Sequence, residues 1–107
     1  MLKADATKKG KALLKRMRGK GWKLHVWENL GWNYSVENGP LSVSPASRTE
    51  FFCLLSDDVR YTCGGLAMWT TDFKSSDPNK AVAHAAASAR KVVNRLEKAV
   101  SFAEGLA

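Results

Sequence analysis

From Asp77 onward the chain has little choice but to form one long amphipathic helix. Val82, Ala86, Ala89, Val93, Leu96 and Val100 recur at spacings of four, three, four, three and four, which places them along a single apolar helical stripe. Asp77 supplies an N-cap, and Pro78 stands at the first helical position, where a missing N–H is no loss. The pattern predicts a helix over about 78–103, with Gly105 as a stop. Its alanine-rich first half has little side-chain bulk and is expected to lie close against a sheet. Such a stripe cannot be buried by the helix alone, so the rest of the chain must provide a face for it.

Short alternating segments provide that face. Strands are expected over about 22–28, 32–37, 41–44, 50–55 and 59–71. In the first, Trp22, Leu24 and Val26 share one side, and Lys23, His25 and Trp27 share the other. Trp32, Tyr34 and Val36 repeat the alternation, and Leu41 and Val43 continue it with Ser42 and Ser44 outward. Asn38-Gly39 is a hairpin signal, because both residues tolerate positive φ. Phe51 to Leu55 is apolar throughout, as expected of a strand buried on both faces. Gly64-Gly65 marks a bulge or a close backbone approach.

Ahead of the strands, about 4–18 reads as a helix with Leu2, Ala6, Leu13 and Met17 toward the core and Leu14 widening the stripe. Gly10 should weaken it by about 1 kcal/mol relative to Ala, and Gly19 or Gly21 should end it. The expected fold is therefore a single α+β domain over 1–107. An N-terminal helix, a four- or five-stranded antiparallel sheet and a long C-terminal helix on one sheet face complete it. With 45% hydrophobic and 25% charged residues the chain has a globular composition, which argues against disorder. No apolar run reaches the roughly 18 residues of a membrane helix or follows the basic start as a signal peptide would, so the expected compartment is the cytoplasm.

The charge is concentrated at one end. Met1 to Lys23 holds nine basic residues and one acid, 9 − 1 = +8, whereas the remainder holds eight and nine, 8 − 9 = −1. Lys8, Lys11, Lys15 and Arg18 form one stripe of the first helix, flanked by Lys9, Arg16, Lys20 and Lys23. Such a stripe can follow a phosphate backbone with salt-dependent, largely sequence-independent affinity. Trp27 lies on the Lys23/His25 side of its strand, where it can stack on a base or act as a protein hot spot. Trp22, Trp32 and Tyr34 have core parity. A secondary basic stripe, Lys80, His84, Lys91, Arg95 and Lys98, runs along the last helix, where cations also suit the macrodipole.

Catalysis finds no support. His25 and His84 are the only histidines and lie on different elements, and Ser42, Ser44 and Ser47 lack a nucleophile-elbow context. Asp57-Asp58 reads as a turn, and no phosphate-binding or dinucleotide glycine motif is present. Cys53 and Cys63 form no metal-type pair, and as buried thiols in a reducing compartment they are expected to be unbonded, although facing strands would allow a bridge. No metal, cofactor or small-molecule substrate is implied. The expected activity is non-catalytic binding of an acidic macromolecule, with nucleic acid the first choice and an acidic protein surface the second.

Two likenesses of layout bear on the partner. The order helix, strands, helix resembles double-stranded RNA-binding domains. Here, however, Asp77 to Lys80 offers one lysine where that family uses several, and Gly39-Pro40-Leu41 does not match its loop. In size and layout over the whole chain, with no shared motif, the protein is also similar to phage accessory proteins, including anti-CRISPR proteins. That likeness implies inhibition of a nucleic-acid-processing complex through protein–protein contacts.

Overall fold

The computed structural model describes residues 1–56, 68–69 and 73–107. Helix α1 spans Lys3–Arg16 and is followed by β1 (Lys23–Glu28), β2 (Trp32–Asn38), β3 (Leu41–Pro45), β4 (Phe51–Ser56) and the two-residue β5 (Met68–Trp69). Helix α2, Pro78–Leu106, closes the chain. The strands form one antiparallel sheet in sequence order, the α+β arrangement that the periodicity implies. Apart from Met68 and Trp69, the expected strand 59–71 lies outside the described residues, as do Asp57-Asp58, Cys63 and Gly64-Gly65.

Register explains the core. Leu24, Val36, Val43 and Cys53 face one another in a row across four strands, and Val26 pairs with Tyr34 beside it. Over this face lie Ala6 and Leu13 from α1 and Ala81 and Ala85 from α2, so both helices cover the same side of the sheet. Helix α1 sits very close to it. A Cβ built on Gly10 would overlap the Leu24 Cδ1 methyl and come within 3.4 Å of Tyr34 Cβ. The glycine that weakens the isolated helix is therefore what lets it seat on β1 and β2.

The expectations at both ends of α1 are corrected. Leu2 is 73% exposed instead of core-facing. The Met1 carbonyl accepts the Trp32 N–H at 3.0 Å, which draws the first residues along the start of β2 and leaves Leu2 outside. The helix also stops at Arg16, two residues early, because Met17 is extended (φ −74, ψ 134). Asn79 explains the stop: its side-chain amide donates to the Arg16 carbonyl at 2.9 Å and accepts the Arg18 N–H at 2.9 Å. The groups that another helical turn would have satisfied are satisfied by α2. Gly19 and Gly21, at φ +89 and +95, then carry the turn into β1.

Helix α2 begins as read, with the Asp77 carboxylate accepting the Asn79 N–H at 2.9 Å and Pro78 in the first turn. The face it turns to the sheet is different. Pro78, Ala81 and Ala85 are buried, whereas Ala86 is exposed and Val82 and Ala89 are only half-buried. Farther along, Val93, Leu96 and Val100 are 40%, 62% and 47% exposed. The physical reason is length. A 29-residue helix extends about 43 Å, whereas the five- and six-residue strands beneath it extend about 17–20 Å. The C-terminal half overhangs, giving a molecule of 58 × 25 × 25 Å with a radius of gyration of 16.6 Å, against about 13 Å for a compact chain of this size.

The other sheet face carries the alternate residues, among them His25, Trp27, Ser35, Ser44, Phe52 and Leu54. On strand β4 Cys53 is buried and Phe51, Phe52, Leu54 and Leu55 are all half-buried, with both described helices on the Cys53 side.

Candidate anion-binding surface

Once Ala6, Gly10 and Leu13 are buried, helix geometry dictates where the cations of α1 go. Lys8, Lys11 and Lys15 project from the opposite side of the helix and are all exposed. They rise along the axis in steps of about 4.5 and 6 Å. The single acid of the helix, Asp5, lies off this line, in the first turn, where it suits the helix dipole. Lys3, Ala4, Thr7, Lys8 and Lys11 outline a shallow hollow on this side.

Lys9 and Arg16 lie on the flank of α1 and face a larger groove of about 790 Å³. Across it stands Arg48. Leu13, Tyr34, Pro45 and Phe51 also line the groove, and among the described residues no carboxylate lines it. The loop bearing Arg48 is well braced: Ser47 Oγ accepts the N–H groups of Thr49 (3.3 Å) and Glu50 (3.1 Å), and Ala46 N–H donates to the Glu50 carbonyl at 2.8 Å. Arg48 is exposed at its tip. The arrangement offers a cationic rim over an apolar, aromatic lining, which suits a ligand with a negative group and a flat apolar part. Arg48 was not legible as a site residue, because it is an isolated cation in a loop and reaches the other cations only through folding.

The cations expected to act together divide into groups. Lys8, Lys11 and Lys15 form one line, and Lys9 joins Arg16 in the groove. Arg16 is already engaged: its guanidinium donates to the Ser76 carbonyl at 2.7 Å and sits 5.4 Å from the Phe51 ring centre. Arg18 leaves the helical stripe altogether, being beyond the helix end and beside Asp77, whose carboxyl it helps to hold below its usual range after the larger effect of the Asn79 N–H. Lys20 is exposed in the following turn, where its carbonyl accepts from the Asn38 side chain at 2.8 Å.

Lys23 belongs to the far side of the sheet, opposite Glu37 in the register, with His25 and Trp27. His25 is exposed and its ring stacks on Trp27 at 4.9 Å between centres, with 19° between planes, so Trp27 is half-covered by its neighbour. The sheet separates this pair from the α1 lysines, and the two do not form one surface. On α2, Lys80, Lys91, Arg95 and Lys98 are exposed, whereas His84 is half-buried and stacked on Phe73 at 4.1 Å. Lys80 alone adjoins the α1 region, since its neighbour Asn79 is bonded to Arg16 and Arg18.

Comparison of the chain with protein-family models, curated proteins and solved structures finds no match. Among the described residues no helix is long and apolar enough to cross a membrane, and no group of three or more His, Cys, Asp or Glu is placed to hold a metal ion.

Proposed function

We propose that this protein is a non-catalytic, cytoplasmic binding module that engages an acidic macromolecule, nucleic acid foremost, through the outer side of α1 and the adjoining groove. The observation that carries the reading is the exposed line Lys8, Lys11 and Lys15 running beside the Lys9/Arg16/Arg48 groove, which none of the described carboxylates lines. The lysines follow a phosphate backbone, and the groove accepts a base or sugar against Tyr34 and Phe51 with Arg48 on its phosphate. Trp27 and His25 are outside this contact.

The test is fluorescence anisotropy with single-stranded and duplex oligonucleotides at several salt concentrations. About five phosphate contacts give a log–log salt slope of roughly −3.5 to −4.5. Replacing Lys8, Lys11 and Lys15 together by Gln should weaken binding and flatten that slope by about 2–3. Arg48→Ala should weaken single strands more than duplexes, and Trp27→Ala should change neither. Absence of binding to any oligonucleotide at low salt would reassign the surface to an acidic protein partner.

A further inference from the structure

Helix α2 carries an apolar seam that packs on the core only at its start, at Val82. Written as heptads, Ala86, Val93 and Val100 occupy a positions, and Val82, Ala89 and Leu96 occupy d positions. The residues packed on the sheet, Ala81 and Ala85, lie roughly a quarter turn to one side. The seam therefore runs free along the overhang, with Val93, Leu96 and Val100 at 40%, 62% and 47% exposure. Isolated exposed apolar residues need no explanation, but a row at heptad spacing on a helix with no described strand beneath it does.

The charges flanking the seam identify what covers it. Arg90 and Glu97 both take e positions, one heptad apart, whereas the opposite flank carries Val92 and Ala99 at g. In a parallel pair, e meets g, and each charge would oppose an apolar side chain. In an antiparallel pair, e meets e, so Arg90 of each copy lies beside Glu97 of the other, twice by symmetry. The same register sets Val93 against Leu96 and the small Ala89 against Val100, so the seam is complementary to its own reverse.

We propose that α2 is a dimerisation helix on which two copies of this chain pair antiparallel through Val93, Leu96 and Val100. The proposal does not rest on the α1 lysines, which lie on another element. Two overhangs would bury roughly 800 Å² in total, the scale of a transient interface. Association is therefore expected at concentrations on the order of 10–100 µM.

Sedimentation equilibrium on the full chain under reducing conditions, from about 5 to 500 µM, tests this directly. The wild type should approach twice the monomer mass, and Leu96→Glu should remain monomeric with an unchanged far-UV thermal melt, since Leu96 lies beyond the sheet. Arg90→Glu and Glu97→Arg should each weaken the dimer about fivefold, and the two together should restore it to within about twofold. A wild type that stays monomeric throughout, or a Leu96→Glu chain that dimerises like it, would overturn the proposal. Failure of the double charge swap to restore association would overturn the antiparallel pairing.

Discussion

The seat of α1 on the sheet gives a sharp energetic test at Gly10. Replacing Gly by Ala in a helix interior favours the helix by about 1 kcal/mol. Here the new Cβ would overlap the Leu24 Cδ1 methyl. Leu24 must then leave its rotamer, at about 0.5–1.5 kcal/mol, or the helix must lift, at about 1–3 kcal/mol. Gly10→Ala alone should therefore range from about 0.5 kcal/mol stabilising to about 2 kcal/mol destabilising. In a Leu24→Ala background the obstructing methyl is gone and the nearest remaining contact, Tyr34 Cβ at 3.4 Å, is ordinary. There the same substitution should stabilise by about 1 kcal/mol. Leu24→Ala by itself should lose about 2 kcal/mol, the low end for leucine, because the side chain is only half-buried. Urea unfolding of the four proteins, followed by tryptophan fluorescence and far-UV circular dichroism, gives the coupling, expected between about 0.5 and 3 kcal/mol and above about 0.5 kcal/mol if the methyl is displaced. Additivity within about 0.5 kcal/mol would refute the close approach, as would a wild-type Gly10→Ala that gains the full ~1 kcal/mol of helix propensity.

Three further outcomes follow from local structure. Leu30 is fully exposed in a left-handed conformation (φ 54), so Leu30→Asn should raise stability by about 0.5–1 kcal/mol in the same assay, without altering oligonucleotide binding. Burial pushes the Cys53 thiol up to about 11, more than the Ser42 N–H lowers it. The unfolded thiol ionises first, so this group's stabilisation is intact below about pH 8.5 and is lost as pH rises toward 11. A Cys53→Ala chain should lack that alkaline decline, and peptide mapping should show Cys53 resisting alkylation at pH 8 until urea unfolds the protein. Asp77 has the opposite sign. Its carboxyl is held below its ordinary value, chiefly by the Asn79 N–H, so its stabilisation is present above about pH 4 and is lost as pH falls through the folded value. Thermal melts of wild type and Asp77→Ala should differ at pH 7 and converge in acid.

Where local chemistry sets structure, the sequence was sufficient. Asp77-Pro78 marks the start of α2 because a cap and a pre-set φ act within one turn, and Asn38-Gly39 marks the β2–β3 hairpin for the same reason. The side of α2 facing the sheet was not legible. Ala81, Ala83, Ala85, Ala86, Ala87 and Ala89 are chemically identical, so the choice of Ala81 and Ala85 over Ala86 depends on how the helix lies on β3 and β4. Of the larger residues in the periodic row, Val93, Leu96 and Val100 belong to the overhang and only Val82 reaches the core. The candidate site divides in the same way. Lys8, Lys11 and Lys15 follow from helical spacing alone. Strand alternation already sets Lys23 on the His25/Trp27 side, whereas engaging Arg16 with Ser76 and bringing Arg48 into the groove require contacts distant in sequence.

The overhang of α2 also governs how the molecule tumbles. A body of 58 × 25 × 25 Å turns faster about its long axis than end over end. A helix about 43 Å long must run near that axis, and its N–H vectors with it. Spinning about the axis barely reorients those vectors, so they sense mainly the slow end-over-end rotation, whereas amides lying across the axis sense both. Nitrogen relaxation should therefore give α2 systematically larger T1/T2 ratios than the sheet without any difference in internal motion. A uniform offset along the helix would reflect the shape of the protein, not local exchange.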